Sequence, residues 1–138
     1  MELLDTVNLA DAAEKRPHEL SGGMRQRVAL ARALAQDRPV LLMDEPFAAL
    51  DAITRDLLHE ELQRVWRETG RTIVFVTHNV REAVRLGQRV LLMSSRPGRI
   101  VREWQIADEG PRRIESPQVG TLSIEITEHL RREIRRNA

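Results

Sequence analysis

One segment, LSGGMRQRV at residues 20–28, constrains this 138-residue sequence more than any other. It predicts the start of a helix, because Ser21 is a favourable N-cap and residues 28–35 are strong helix formers. Gly22 and Gly23 follow the cap, and their lack of a Cβ would let a ligand approach the first backbone N–H groups closely. Phosphate is a frequent ligand there, because those N–H groups and the helix dipole both favour an anion.

A second segment delivers two carboxylates to the end of a predicted strand. Residues 40–43 form an apolar run that is too short for a helix and does not alternate, which predicts a strand buried on both faces. Asp44 and Glu45 follow it directly, and open α/β sheets bind ligands beyond the carboxyl ends of their strands. In isolation, the two carboxylates would be interpreted as a solvated strand end. Together with a phosphate site, they predict phosphoryl chemistry with Mg²⁺.

The order of the predicted elements gives the fold class. Buried strands alternate with helices, which predicts an α/β fold with a parallel β-sheet and flanking helices. The predicted strands are residues 40–43, 72–76 and 89–93, and the predicted helices between them are residues 52–68 and 80–86. The chain is completed by a peripheral strand, a polar loop and a C-terminal amphipathic helix, the strand over residues 99–105 and the helix over residues 119–136.

Four segments resemble the motifs of ABC transporter ATPases, in that family's order. Residues 20–26 resemble the signature motif, and residues 40–46 resemble the Walker B strand with the catalytic glutamate after it. Residues 48–51 resemble the D-loop, and residues 77–78 resemble the segment that carries the switch histidine. The four motifs together are far more specific than a lone Ser-Gly-Gly. The resemblance implies the C-terminal part of a P-loop NTPase domain.

The resemblance also implies a role for each candidate residue. Glu45 and His78 would be catalytic, the glutamate by polarising the attacking water and the histidine by reaching the γ-phosphate of ATP. Asp44 would hold Mg²⁺ through its water shell. No role is predicted for the other histidines, at positions 18, 59 and 129. In an ABC dimer the signature residues face the nucleotide of the other subunit, and the implied nucleotide-binding set is Ser21, Gly22, Gly23, Gln26 and the interface residue Asp51.

The P-loop itself is missing from this sequence. None of its seven glycines belongs to the pattern Gly-x-x-x-x-Gly-Lys-[Ser/Thr]. The resemblance therefore covers only the later part of the family's domain. Residues 1–107 are predicted to be a partial ABC ATPase domain, from the end of the helical subdomain through the switch histidine, and residues 108–138 a C-terminal loop and helix. A fragment is the simplest interpretation, and we expect this chain alone to bind ATP weakly without hydrolysing it.

Residues 91–100 and 110–113 resemble the nitrate/sulfonate/taurine importer branch of the family. The implied function is that of the ATP-hydrolysing subunit of an importer, with ATP and Mg²⁺ as cofactors. Its implied partners are a second ABC ATPase subunit in a homodimer, transmembrane permease subunits and, indirectly, a solute-binding protein. No apolar run approaches the roughly 20 residues of a membrane span. The chain is expected to be cytoplasmic and peripheral on the inner face of the cell membrane.

Two other functional classes remain open. One is a naturally short, non-catalytic regulator that docks on a complete ABC ATPase subunit through residues 21–23. The other is an ABC-type ATPase of DNA repair or chromosome organisation, which would show a long coiled coil or a strongly basic face. The net charge of +1 and the aromatic content of 3% argue against a nucleic-acid partner. The arginines at positions 25, 27 and 32 are predicted on a solvated helix face.

Overall fold

The computed structural model describes residues 2–36, 38–107 and 110–136, and it forms two compact units, Met1–Val76 and Thr77–Ala138. The predicted boundary between residues 107 and 108 adjoins residues outside the described part and stays a prediction. None of the helices in the described ranges has both the length and the apolar composition that a membrane span requires.

Among its described residues, the first unit contains three α-helices and two strands, in the order α1 (Glu2–Thr6), α2 (Gly22–Ala35), β1 (Val40–Asp44), α3 (Ala52–Thr69) and β2 (Thr72–Val76). Two short 3-10 helices, Ala10–Ala12 and Pro17–Glu19, lie between α1 and α2. The strands β1 and β2 pair in parallel, and α3 is the crossover helix between them. In the pairing register, Val40 lies opposite Thr72 and Asp44 lies opposite Val76. This arrangement confirms the predicted α/β class and its parallel sheet.

Local side-chain and backbone features fix the ends of two helices. Ser21 Oγ accepts the Met24 N–H at 3.2 Å at the start of α2. Asp51 Oδ1 accepts the Thr54 N–H at 2.9 Å at the start of α3. Helix α3 ends at Gly70, whose φ of 62° lies in the left-handed region that favours glycine. The predicted N-cap of α2 is therefore confirmed, and α3 has a typical glycine end.

The two strands of the first unit are buried on one face only. Leu41 and Met43 point to the buried face, whereas Leu42, between them, is 76% exposed. Val74 and Val76 on β2 are also more than half exposed. The prediction of strands buried on both faces is wrong for the described residues. An apolar sequence specifies that both faces are suited to burial, but a second layer of structure has to be present to cover them.

The second unit consists of α4 (Val80–Leu86), β3 (Arg89–Met93), β4 (Ile100–Gln105) and α5 (Pro117–Arg136). The alternation of strands and helices predicts β3 in the parallel sheet, but the structure pairs it with β4 in antiparallel orientation. A short turn connects β3 to β4, and the Ser94 N–H closes it by donating to the Arg99 carbonyl oxygen at 2.8 Å. A connection this short can join only antiparallel neighbours, which is why the prediction for β3 is wrong.

The second unit has its own apolar core. All four of its elements contribute to it, through a buried cluster formed by Val84, Val90, Leu92, Trp104, Val119 and Ile126. Leu122 and Leu130 on α5 pack against this cluster, at the spacing that predicts an amphipathic helix. Ile134 follows Leu130 by four residues and so lies on the same face, but it is 58% exposed. The apolar stripe is therefore buried only over the first three turns or so of the helix.

Two buried arginines tie the segment before α5 to α4. The Nε–H groups of Arg85 and Arg112 each donate to the backbone carbonyl of the other residue, at 3.2 and 3.1 Å. Arg112 also donates to the carbonyl oxygens of Ala107 at 3.0 Å and Gly87 at 2.6 Å. These carbonyls replace the water that the guanidinium groups lose on burial. The loop around Arg112 is thereby fixed to the end of α4.

A polar network on α5 surrounds His129. Its Nε2 atom lies 2.7 Å from Arg102 Nη1 and 3.1 Å from Arg132 Nη2. A guanidinium group can only donate, so Nε2 acts as the acceptor of a neutral imidazole. Desolvation and the charges of Arg102 and Arg132 lower the pKa of His129 below its ordinary value, against the weaker opposing effect of Glu125 and Glu128.

We predict that this network makes the stability of the chain depend on pH between 7.5 and 5.5. A histidine whose pKa is lowered by folding contributes stability above its unfolded pKa of about 6.5, and that contribution is lost as the pH falls further. The Tm measured by circular dichroism should therefore drop more for the wild type than for His129→Asn over this interval. His18→Asn, which removes an exposed histidine outside the network, should follow the wild type. Equal drops in all three would contradict the assignment.

Candidate functional site

The chain turns sharply where β1 ends, between its two predicted catalytic-site carboxylates. The Glu45 N–H donates to the Val76 carbonyl oxygen at 2.8 Å, which extends the β1–β2 ladder one residue beyond Asp44. Glu45 then adopts a φ of 45°, a left-handed conformation that is uncommon for a residue with a Cβ. Asp44 is exposed, and both carboxylates lie at the carboxyl end of the parallel strands, where α/β sheets bind ligands.

Gln26 on α2 holds the segment that follows β1, residues 45–49, which we name the post-strand turn. Its side-chain Nε2 donates to the Glu45 carbonyl oxygen at 2.5 Å, and its Oε1 accepts the Ala49 N–H at 2.8 Å. Gly23 lies one helical turn earlier, and a Cβ added there would stand 3.1 Å from the Ala49 carbonyl oxygen. The start of α2 is therefore in close contact with the post-strand turn.

The signature residues at the start of α2 differ in what surrounds them. Gly22 has open space where a Cβ would be, which suits the predicted approach of a ligand. At Gly23, in contrast, the lack of a side chain is explained within the protein, since the backbone of Ala49 approaches this position closely. Ser21 is exposed, and its hydroxyl caps the helix. The predicted nucleotide contacts of these three residues stay predictions.

Asp51 follows the post-strand turn and is exposed at the start of α3. The hydrogen bond from the Thr54 N–H lowers the pKa of its carboxyl group, because it stabilises the ionised form. The structure thus gives Asp51 the role of a helix cap. Its predicted role at the interface of two subunits stays a prediction.

His78 belongs to the second unit, whereas all the other predicted site residues belong to the first. It is exposed in the short segment before α4. Its neighbours are held firmly: the Thr77 hydroxyl contacts the Glu82 carboxylate at 2.5 Å and accepts the Asn79 N–H at 3.0 Å. Asn79 Oδ1 in turn accepts the Glu82 N–H at 3.2 Å as the N-cap of α4. The backbone around His78 is therefore fixed by the side chains on either side.

The carboxylates fit a magnesium ion that arrives with a nucleotide. Among the described residues, no group of three or more His, Asp or Glu side chains is arranged to hold a metal ion. Mg²⁺ commonly takes only one or two protein carboxylates and completes its shell with water and substrate phosphates. The exposed carboxylate of Asp44 at the end of β1 suits such an ion. The protein groups that would cradle the phosphates from a P-loop are not in this sequence.

Sequence analysis missed three residues that support this site. His59 on α3 is 1% exposed, and its ring packs edge-on against the buried Phe47 of the post-strand turn, with ring centroids 4.5 Å apart. Arg27 is not simply solvated, because its guanidinium donates to the carbonyl oxygens of Val7 and Asn8 at 3.0 and 2.9 Å. Arg25 is exposed, as predicted, and its guanidinium also donates to the Leu20 carbonyl oxygen at 2.8 Å. Each contact joins segments in a way that helical spacing does not reveal.

Comparisons with known proteins agree with the resemblance. Residues 1–48 match the profile of the family described as ABC transporter. The taurine import ATP-binding protein of Jannaschia sp. (strain CCS1) is 56% identical over 110 residues, which cover 78% of this chain and 41% of that protein. The aliphatic sulfonates import ATP-binding protein of Bacillus licheniformis is 46% identical over 121 residues, which cover 88% of this chain and 48% of that protein.

The fold comparison gives the same result. The dimeric structure of a bacterial ABC transporter cassette superposes with a TM-score of 0.70 at 38% identity, and the match covers 77% of this chain and 45% of that one. The chain spans about half the length, or less, of the relatives it matches, namely 41% and 48% of the two import proteins.

We predict that alanine destabilises the chain at Gly23 but not at Gly22. Gly23→Ala places a Cβ against the Ala49 carbonyl oxygen, so it should lower the free energy of unfolding by about 1 kcal/mol. Gly22→Ala is the matched control, because its Cβ meets open space and should change stability by less than about 0.5 kcal/mol or raise it. Urea unfolding followed by circular dichroism measures both. Equal effects of the two substitutions would show that Ala49 does not constrain position 23.

Proposed function

Because this chain belongs to the ABC transporter ATP-binding family, we propose that it carries the later part of an ATPase that energises solute import. The observation that carries the proposal is the contact between the start of α2 and the post-strand turn, which joins the signature residues to Glu45. In this family's chemistry, each ATP lies between the catalytic glutamate of one subunit and the signature residues of the other, so the contact in this chain joins parts of two nucleotide sites. The names of the relatives support taurine or another sulfonate as the class of solute.

The residues would divide the work as follows. Asp44 would hold Mg²⁺, which neutralises charge on the phosphates when it is bound. Glu45 would orient and polarise the attacking water, and His78 would contact the γ-phosphate. Ser21, Gly22 and Gly23 would present their backbone N–H groups and hydroxyl to the nucleotide of the second subunit, with Asp51 at the same interface. Hydrolysis would then require residues from two polypeptide copies.

The exposed face of β1 and β2 supports the inference that more protein covers it. Val40, Leu42, Val74 and Val76 together form an apolar surface, and Asp44 lies at its carboxyl end on the same face. Apolar surfaces of this kind mark places where other structure packs. We infer that the part of the family's domain that bears the P-loop covers this face. That layer would bring the nucleotide phosphates to Asp44.

The partners and location follow from the same proposal. A second ATPase subunit would complete each nucleotide site. Closure of the two subunits and hydrolysis would drive transmembrane permease subunits, and a solute-binding protein would deliver the solute to them. The complex would place this chain on the cytoplasmic face of the membrane. The solute itself would be selected by the permease and the binding protein, so no residue of this chain is assigned to it.

We predict that the chain alone shows no Mg²⁺-dependent ATP hydrolysis and that a complementing polypeptide restores it. The complement is the part of the Jannaschia relative that this chain does not match, produced separately and mixed with it. In the active mixture, Glu45→Gln should reduce kcat by at least about 100-fold, because it removes the base that polarises water. Glu60→Gln, an exposed glutamate on α3, is the matched control and should leave kcat unchanged.

Release of inorganic phosphate measures these rates. Hydrolysis by the chain alone that Glu45→Gln abolishes would contradict the need for a complement. A mixture that hydrolyses ATP equally well with Glu45→Gln would contradict the catalytic assignment. If the chain instead alters the rate of a complete ATPase without forming an active mixture, the regulator is the better description.

A further inference from the structure

We propose that Gln26 is a positioning residue that sets the orientation of Glu45, and not a residue that touches the nucleotide. The proposal deepens the proposed function, because it concerns how the catalytic glutamate is held. Both polar groups of the Gln26 side chain are engaged with backbone of the post-strand turn, the amide with the Glu45 carbonyl oxygen and the carbonyl with the Ala49 N–H.

Only a side chain that donates and accepts at once can make this pair of bonds. A glutamate at position 26 could accept from Ala49 but could not donate to Glu45, and a lysine could only donate. Methionine has a similar length but is at best a weak acceptor. The contact therefore gives a chemical reason for glutamine at this position, independent of any nucleotide.

The post-strand turn needs to be held from outside. Glu45 is in the left-handed region, which is unfavourable for a residue with a Cβ and persists only where surrounding contacts impose it. The turn's own backbone hydrogen bonds are long: the Ala48 N–H donates to the Glu45 carbonyl at 3.3 Å, and the Leu50 N–H, just after the turn, donates to the Phe47 carbonyl at 3.3 Å. The bonds to Gln26 are shorter, at 2.5 and 2.8 Å. The turn is thus fixed by β2 on one side and by α2 on the other.

Gln26 lies between the signature residues and the glutamate proposed to be catalytic. Ser21 to Gly23 begin the helix that carries Gln26, and in the proposed dimer they would face the nucleotide of the second subunit. Glu45 would act on the nucleotide held by its own subunit. A displacement of the start of α2 moves the Gln26 amide and, with it, the Glu45 carbonyl and the Ala49 N–H. Gln26 therefore transmits the state of one nucleotide site to the glutamate of the other.

The first test uses this chain as it is and follows amide hydrogen exchange by NMR. Gln26→Met removes both bonds and should make the Ala49 amide exchange about tenfold faster, while amides of Leu58 and Leu62 in α3 change less than about twofold. Gln26→Glu keeps the acceptor and should leave Ala49 protected. Gln36→Met, at the exposed far end of α2, is the control and should change neither.

If Gln26 only stabilised the fold as a whole, Gln26→Met would accelerate amide exchange in α3 as much as at Ala49. An Ala49 amide that stays protected in folded Gln26→Met would overturn the proposal, because the bond would then not hold the turn. If Gln26→Met does not fold, the Gln26→Glu variant decides: rapid exchange at Ala49 in that variant would contradict the assigned acceptor, and retained protection would support it.

The second test uses the complemented mixture described above. If Gln26 is a positioning residue, Gln26→Met and Gln26→Glu should lower kcat by at least about tenfold with little change in KM for MgATP, since both lose the donor to Glu45. If Gln26 instead contacts the nucleotide, both variants should raise KM, and that result would overturn the proposal. In a Glu45→Gln background, Gln26→Met should have little further effect. If the wild-type mixture is inactive, the proposed function fails, and the exchange measurement still decides whether Gln26 holds the turn.

Discussion

The hydrogen bond from Glu45 N–H to the Val76 carbonyl oxygen is the constraint on which the first unit depends. It keeps the backbone in the sheet for one residue longer than β1 itself, so the chain has to leave the sheet at Glu45 and does so through a left-handed conformation. Asp44 stays on the exposed face because side chains alternate along a strand. One carboxylate is thus placed by the strand and the other by the turn, although they are adjacent in sequence.

Features with a local chemical cause were predictable from the sequence. The cap at Ser21 and the helix end at Gly70 each follow from the residue type at one position. The parallel crossover around α3 follows from the alternation of apolar runs and helical periodicity along residues 40–76. The contacts of Gln26 were not predictable, because they join residues 19 and 23 positions apart. The left-handed φ of Glu45 was missed for a different reason, since sequence patterns associate that conformation with glycine.

Burial was the property that sequence predicted least well. Leu42 is of an apolar type that is usually buried, yet it is exposed. Burial requires a second layer of structure over the sheet, and residue type does not show whether that layer is present. His59 on α3 shows the converse: it is a polar residue, yet it is 1% exposed and its ring packs against that of Phe47, a contact that residue type does not report. The pairing of β3 failed similarly, since alternating strands and helices leave the partner of the last strand undetermined.

Polar side chains hold irregular backbone in both units. Gln26 does so for the post-strand turn, and Arg112 does so for the loop before α5. Arg71 adds a third case, with its guanidinium near the carbonyl oxygens of Leu34 and Gln36 at the end of α2. Irregular segments cannot satisfy their own carbonyl groups through a ladder, so a long donor side chain substitutes for one. Arg71 and Arg112 are therefore charged residues with a structural role.

The exposed face of β1 and β2 also bears on how the first unit behaves in solution. Val40, Leu42, Val74 and Val76 form an apolar surface on that face. An exposed apolar face resembles the surface of a folding intermediate, which associates with other exposed apolar surfaces. Wherever this face is uncovered, association of one copy with another therefore limits the concentration at which the folded unit stays dispersed.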